Sequence, residues 1–217
     1  MTEFTTNLRG DGTYEITGIK CGDTYDVVVP EFINDIKVTA IGHSAFMGYS
    51  SIESISIPEC VVFIGGHAFY HCYNLTSIIF PSGITSIENS MFDSCRNLAS
   101  VILPPGVTKI SSGAFVGCTS LKSIILPDSI SQIESHCFES CWSIESIDLP
   151  QKITTIERYS FFNCRKLKTV IVPDGLSVIE DNAFNACYSL KSIFIPSSVK
   201  HISSEAFSTY TKIILKD

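Results

Sequence analysis

Residues 87–104 read IENSMFDSCRNLASVILP, and this stretch is one copy of a unit that recurs every 23 residues. Phenylalanine and isoleucine each follow the step eight times without an insertion, and proline and cysteine form two further columns. Because a fixed period means that each unit packs on its neighbours, the sequence predicts a solenoid. The phenylalanines are Phe46, Phe69, Phe92, Phe115, Phe138, Phe161, Phe184 and Phe207.

Each unit carries three local signals. Ile78 and Phe80 alternate with polar or outward residues, which predicts a short strand with these two side chains inside. Residues 81–83, Pro-Ser-Gly, predict a turn. The spacing of Ile87, Met91, Cys95 and Leu98 is typical of one face of a short helical segment, capped by the small polar residues at 88–90.

The pattern Leu-x-x-Ile-x-Phe-Pro-x-x-Ile-x-x-Ile-x-x-x-Met-Phe-x-x-Cys resembles the leucine-rich repeat in its 23-residue BspA-like variant, and the likeness covers about residues 14–217. The resemblance implies an α/β repeat fold: a right-handed solenoid with a parallel β-sheet on the concave face and short helical segments on the other side. The asparagine ladder of other leucine-rich repeats is absent, and proline and turn residues stand in its place.

We predict a single solenoid domain with a cap at each end. Residues 1–37 form a loose segment and a capping β-hairpin, residues 38–207 form eight repeats, and residues 208–217 form a closing strand. The hairpin would join Tyr14–Ile19 to 26–30 through a turn at 21–23. Pro30 and Pro58 are 28 residues apart, so a five-residue insertion lies within 31–37.

Composition excludes several classes of function. The net charge of −7, with no basic cluster, disfavours nucleic acid as a partner. No apolar run approaches the roughly 18 residues of a membrane span, so membrane insertion is not expected. No catalytic motif or glycine-rich phosphate loop is present, which predicts no enzymatic activity and no cofactor. The first residues lack the pattern of a signal peptide; either the chain is not exported by that route or a leader has been removed.

The nine cysteines do not indicate a disulfide framework, because six of them occupy one repeat column that is shared with Tyr49 and Tyr210. The shared column indicates selection for side-chain size, and parallel Cβ vectors suit a disulfide poorly. We therefore expect buried free thiols.

Two clusters suggest a metal only weakly, and we predict no metal site. His67 and His71 are four residues apart and could share a zinc ion, but no third ligand is evident. Glu134, Glu157 and Glu180 stand in consecutive repeats, and we interpret them as helix-capping acids, with a bound calcium ion as the alternative.

One column of predicted outward-facing strand residues is mostly apolar, which is typical of an interface. The alternative is β-propensity alone, because isoleucine suits a strand anywhere. Short hydroxyl residues flank the column and leave it accessible. Its candidate binding residues are Ile79, Ile102, Ile125, Asp148, Ile171 and Phe194.

A second candidate column follows the cysteines: Tyr73, Arg96, Trp142, Arg165 and Tyr188. In consecutive repeats the Arg165 guanidinium could stack between the rings of Trp142 and Tyr188. Such a ladder either recognises a partner or ties the repeats together.

These features favour a non-enzymatic protein–protein interaction module. The resemblance to BspA-like proteins implies a surface or secreted adhesin that binds host or matrix proteins through the concave sheet. An intracellular scaffold or regulatory protein is the alternative, with a cytoplasmic location. The sequence does not identify the protein partner, and self-association through the same face is a further candidate.

Overall fold

A computed structural model describes residues 2–20 and 25–216 of the chain. The turn predicted at 21–23 lies outside these residues. The described strands are β1 (Phe4–Leu8), β2 (Tyr14–Ile19), β3 (Asp26–Val28), β4 (Phe32–Ile33), β5 (Ile36–Ile41), β6 (Ser54–Ser56), β7 (Phe63–Ile64), β8 (Ser77–Ile79), β9 (Ser86–Ile87), β10 (Ser100–Ile102), β11 (Lys109–Ile110), β12 (Gln132–Ile133), β13 (Ser146–Asp148), β14 (Thr155–Ile156), β15 (Thr169–Ile171), β16 (Val178–Ile179), β17 (Ser192–Ile195), β18 (His201–Ile202) and β19 (Lys212–Leu215).

The repeat places two short strands in each turn of a solenoid, and these strands form two columns of parallel pairs. In the first column, β3-β6-β8-β10, β13-β15 and β17-β19 form three hydrogen-bonded groups. In the second, β5 pairs with β7, and β9-β11-β12 and β14-β16-β18 form two further groups. Ser77 pairs with Ser100 and Ile87 pairs with Ile110, so the sequence period becomes the strand register. The second column, which contains the repeated isoleucine, was not predicted as strand.

The predicted helical segments are wrong, because none of the described residues lies in an α-helix. The stretch after each second-column strand is a series of tight turns, which we call the turn wall. Two positions per turn have a left-handed backbone, for example Ser90 (φ 48°) and Ser94 (φ 65°). Because an α-helix of L-residues requires negative φ throughout, these positions prevent one from forming. The left-handed columns are Ser44, His67, Ser90, Gly113, His136, Tyr159 and Asn182, and Gly48, His71, Ser94, Gly117, Ser140, Asn163 and Ala186.

Alternating hydrogen bonds hold the turn wall together. The Phe92 amide donates to the Ala114 carbonyl of the next turn at 2.8 Å. The Cys95 amide donates back to the Phe92 carbonyl at 3.0 Å. The same alternation recurs along the array, so the backbone groups that a helix would satisfy internally are shared between repeats.

The core lies between the two strand columns and the turn wall. Phe115 is fully buried, and its ring stacks on Phe92 at 5.4 Å and on Phe138 at 5.3 Å between ring centroids. The stacked ladder runs from Phe46 to Phe207, with ring centroids 5.2–5.6 Å apart and nearly parallel planes. Each ring therefore contacts the repeats on both sides of it, as expected for a one-dimensional array. No helix in the described residues has the length and apolar character of a membrane span.

The N-terminal cap differs from the predicted hairpin. The segment expected to be loose contains β1, which pairs antiparallel with β2. Strand β2 also pairs in parallel with β5 of the second column, whereas β3 joins β6 of the first column. The hairpin is thus β1–β2, and the strand at 26–28 is already part of the repeat array. This arrangement pairs the strand edge that the first turn would otherwise expose.

The predicted insertion forms a second small hairpin. Strand β4 pairs antiparallel with β5 through Asn34 and Asp35, which have φ values of 50° and 61°. Two consecutive residues with positive φ are typical of a two-residue type I′ turn, for which asparagine and aspartate are favoured. At the other end, β19 pairs in parallel with β17 and places Lys212 opposite Ser192.

We expect Gly65→Ala to destabilise the fold by about 1–3 kcal/mol, because overpacking beside rigid backbone cannot relax. A Cβ atom at Gly65 would lie 2.6 Å from the His43 nitrogen and 2.8 Å from the Gly42 carbonyl carbon. Gly10→Ala is the control, because no heavy atom lies within 4 Å of a Cβ atom there. The measurement is the urea midpoint of each variant, and equal midpoints for the two would contradict the packing described.

Candidate functional site

The outward side of the first column forms a surface that we call the isoleucine face: Val28, Ser56, Ile79, Ile102, Ile125, Asp148, Ile171 and Phe194. All its large apolar members are exposed, with 52% to 86% of their surface accessible. The structure therefore exposes all six candidate residues of this column. Sequence reasoning missed Val28, although residues 27–30, Val-Val-Val-Pro, resemble the strand and proline of the repeat and were a sufficient signal.

The second column provides an internal comparison for the isoleucine face. Its repeat strands are two residues long, against three or four in the first column, and they also pair in parallel, but five of the seven outward positions are polar. If β-propensity alone explained the exposed isoleucines, the outward positions of both columns would be equally rich in isoleucine. The outward positions of the second column are Phe63, Ser86, Lys109, Gln132, Thr155, Val178 and His201.

Short hydroxyl side chains accompany the apolar row on each strand. Ser77 and Ser100 are exposed and lie two residues before Ile79 and Ile102. They are too short to cover the isoleucines, so the apolar side chains remain accessible to a large partner. An apolar patch of this kind on a water-facing surface is typical of an interaction site.

A groove on the isoleucine face extends from residues 123–128 across β13 to β15. Its volume is about 460 Å³, and its lining includes Ile125, Ile147, Ile171, Asp128 and Asp148. Ile125 is the most exposed apolar residue of the face, at 86%. The groove therefore combines apolar side chains with two carboxylates.

Most charged side chains beside the face have a partner. Lys168 Nζ lies 2.8 Å from Glu145 Oε2, and the Ser82 amide donates to Glu59 Oε2 at 2.9 Å. The Ser54 hydroxyl donates to Asp26 Oδ1 at 2.5 Å. Within the described residues, neither Asp128 nor Asp148 has an ion pair or a side-chain hydrogen bond.

The aromatic and arginine column lies in the turns that lead into the first-column strands, outside the lining of the groove. The Arg165 guanidinium lies 4.5 Å from the Trp142 ring centroid, but Tyr188 stacks on Tyr210 at 6.3 Å instead of on the guanidinium. The expected sandwich of Arg165 between two rings is therefore wrong. A second pair places Arg96 at 5.0 Å from the Tyr73 ring centroid. These contacts tie neighbouring repeats together.

The cysteines are free thiols in the described part of the chain. Each column thiol donates to a phenylalanine carbonyl of the previous repeat; Cys118 Sγ, for example, lies 3.3 Å from the Phe92 oxygen. Tyr49, at the start of the column, donates its hydroxyl to the Ile19 carbonyl of the cap at 2.9 Å. From Tyr49 to Cys187 each member of the column thus donates a hydrogen bond to a backbone carbonyl, whereas the sequence interpretation considered size alone.

Burial raises the pKa of six thiols, because a buried thiolate loses its hydration. It raises the pKa of Cys72 to about 12. The pKa of Cys95, Cys118, Cys137, Cys141 and Cys164 is also raised, with burial as the largest cause. A thiol kept protonated is a poor nucleophile and a poor metal ligand.

The histidines suspected of sharing a metal lie in the two left-handed columns of the turn wall. The His67 ring packs against His43, with 5.0 Å between ring centroids, and the His71 ring stacks on Tyr70 at 3.9 Å and on Tyr73 at 5.2 Å. Within 2–20 and 25–216, no group of three or more histidine, cysteine or acidic residues is arranged to hold a metal ion.

The glutamate column does not cap helices, since there are none in the described residues to cap. Glu134 Oε1 lies 2.7 Å from Lys109 Nζ, and Glu134 Oε2 accepts the Ser112 amide at 2.9 Å. Lys109 holds the pKa of Glu134 below its usual range. Burial, followed by repulsion from Glu180 and Glu134, raises the pKa of Glu157.

Two parallel strand columns, one repeated phenylalanine ladder and an exposed sheet face define a leucine-rich-repeat solenoid. The chain belongs to the BspA-type leucine-rich-repeat family. The family description "BspA type Leucine rich repeat region" matches residues 25–141 and 85–214 in six copies. Repeats of this family are known for protein interaction, and leucine-rich-repeat proteins are typically not enzymes.

Solved structures agree with this assignment. A leucine-rich-repeat protein of T. pallidum is 31% identical, with a TM-score of 0.81 over 86% of this chain and 87% of that one. A leucine-rich-repeat protein of Bacteroides ovatus ATCC 8483 is 23% identical, with a TM-score of 0.66 over 100% of this chain and 78% of that one, and it shares the fold. Comparison with curated protein sequences gave no match.

Proposed function

We propose that this chain is a non-enzymatic protein-binding module whose principal contact surface is the isoleucine face. The observation that carries the proposal is the aligned row of exposed apolar side chains, which the equivalent surface of the second column lacks. The free-energy cost of hydrating this row is recovered when a partner covers it, at about 25 cal/mol per Å² before association losses.

We further propose that the partner is a host or matrix protein, in keeping with the adhesins that the BspA-like repeat resembles. The test is a binding assay of the purified chain on immobilised extracellular-matrix proteins, with an extract of intracellular proteins as the comparison. Saturable binding to a matrix protein supports the adhesin. Binding confined to intracellular proteins would instead favour a scaffold.

We expect Ile102→Asp and Ile125→Asp to abolish partner capture and to leave the fold nearly intact. Both side chains point to solvent, so a carboxylate there is hydrated in the free protein but desolvated under a partner. Gln132→Asp is the matched control, because it places the same charge on an exposed strand position of the second column. The measurement is the amount of each matrix or intracellular protein that binds the wild type and each of the three variants, quantified by mass spectrometry.

The capture assay is read together with circular dichroism of each variant. Loss of the same captured protein in both isoleucine variants, with retention in Gln132→Asp, supports the isoleucine face. If both variants bind as well as the wild type while fully folded, this surface is not the contact. Unfolding of both would show that the side chains lie inside the core.

A further inference from the structure

The first strand column is broken between β15 and β17 and, over one complete turn of the solenoid, between β10 and β13. Residues 123–126 are out of strand conformation, whereas the matching residues of the turns on both sides form β10 and β13. No backbone hydrogen bond joins Ser123–Leu126 to either neighbouring turn, all of which the structure describes. The second column is also broken next to residues 123–126, because β12 and β14 are not paired.

The turn wall remains continuous at the same place. The Phe115 amide donates to the Cys137 carbonyl at 2.9 Å, and the Phe138 amide donates to the Ser160 carbonyl at 2.8 Å. The turns therefore stay in contact through the wall and separate at the strands. The groove of about 460 Å³ includes the separated residues 123–126 and extends across β13 to the paired strand β15, on the isoleucine face.

The lining of the groove has a definite chemical character. Ile125 and Ile171 provide exposed apolar surface, and Ile147 and Leu149 lie beneath them. Asp128 and Asp148 also line the groove, and no basic side chain does. The adjacent carboxylate of Glu145 pairs with Lys168, so an external cation would meet the two groove carboxylates first.

We propose that this groove selects the partner, by binding an extended segment that carries an aliphatic side chain and, two residues away, a lysine or arginine. The inference rests on the proposed protein-binding function and identifies the kind of segment that is recognised. Side chains two residues apart on an extended chain point to the same side, about 7 Å from each other. The aliphatic group covers Ile125, and the basic group faces Asp148 and Asp128. Complementary charge of this kind sets specificity more than total affinity.

The test uses fluorescein-labelled synthetic peptides of serine and threonine that carry one leucine and, two residues later, arginine, serine or glutamate. A matched set has serine in place of the leucine. Fluorescence polarisation measures their binding to the wild type and to Asp148→Asn, Asp128→Asn and Asp148→Lys. Asp174→Asn is the matched control, because Asp174 is exposed at the position of Asp128 two repeats later and lies outside the groove lining.

We expect the wild type to bind the leucine–arginine peptide at least about tenfold more tightly than the leucine–glutamate peptide. Asp148→Asn and Asp128→Asn should each reduce this preference several-fold, and Asp174→Asn should leave it unchanged. Asp148→Lys should reverse the preference in favour of the glutamate peptide. Peptides lacking the leucine should bind more weakly in every case, because they leave Ile125 uncovered.

Two results would overturn the inference. One is that no peptide binds the wild type measurably; the other is that the arginine preference survives in Asp148→Asn and Asp128→Asn. If either is found while Ile102→Asp still abolishes partner capture, the isoleucine face binds a partner without charge selection at the groove. Ile102 does not line the groove, so the two proposals fail separately.

Discussion

Raising the pH from about 8 to 9.5 is expected to lower the free energy of unfolding by roughly 8 kcal/mol. Six buried thiols have a pKa raised by burial in the folded state, among them Cys72 at about 12. In the unfolded chain a thiol has a pKa near 8.5. Above that pH, each buried thiol lowers the free energy of unfolding by about 1.4 kcal/mol per pH unit. The unfolded state therefore loses protons that the folded state keeps, and stability falls as the pH rises. Below about pH 8 both states hold these protons, and the effect is absent.

The measurement is the urea-unfolding free energy at several pH values in the presence of a reductant. Cys118→Ala is the comparison, because removal of one buried thiol should make the slope shallower by about 1.4 kcal/mol per pH unit. The slope is the informative quantity, since the substitution also removes the hydrogen bond to Phe92 and lowers stability at every pH. A free energy that is flat from pH 8 to 9.5 would contradict the buried, protonated column.

Phe115→Ala is expected to cost about 3–5 kcal/mol of stability, because the truncated side chain leaves a cavity that the ladder cannot close. Phe115 is fully buried and stacks on a ring at each side. Phe207→Ala should cost clearly less, because Phe207 is partly buried and stacks on Phe184 alone. Urea melts of the two variants, with Phe69→Ala as a second interior position, give the comparison.

The graded cost follows from the one-dimensional array, in which a residue depends on its two neighbouring repeats. Phe69 is stacked on both sides like Phe115, so the two interior variants should agree within the scatter typical of such substitutions. Equal losses at Phe115 and Phe207 would contradict the array. They would mean that the end of the ladder is as tightly packed as its middle.

The columns of repeated residues allowed most of the architecture to be predicted from sequence. They did not predict the local conformation of the turn wall. Ile87, Met91, Cys95 and Leu98 are all buried, as a helical face would require, and their spacing cannot distinguish a helix from successive tight turns. The distinguishing signal lies in columns that hold serine, glycine, asparagine and histidine where the backbone is left-handed. Only the whole column, and no single repeat, carries that signal, because serine and histidine also occur in helices.

The caps and the groove were less predictable, for a common physical reason. Alternation identified Tyr14–Ile19 as a strand, but its pairing with β1 and β5 depends on contacts between segments far apart in sequence. The groove arises where 123–126 loses its strand bonds, although Ser123 and Ile125 match the residues of the intact turns. Sequence therefore predicted the exposed row and missed the interruption within it.

The central claim is that a partner covers the isoleucine face, and hydrogen–deuterium exchange of the chain with and without its captured protein tests it most directly. We expect slower exchange on binding at Ser77–Ile79, Ser100–Ile102 and Thr169–Ile171, which lie in the first column. The second-column strands Ser86–Ile87 and Lys109–Ile110 should exchange at the same rate in both states. Protection confined to the second column or to the turn wall, with the first column unchanged, would contradict the claim.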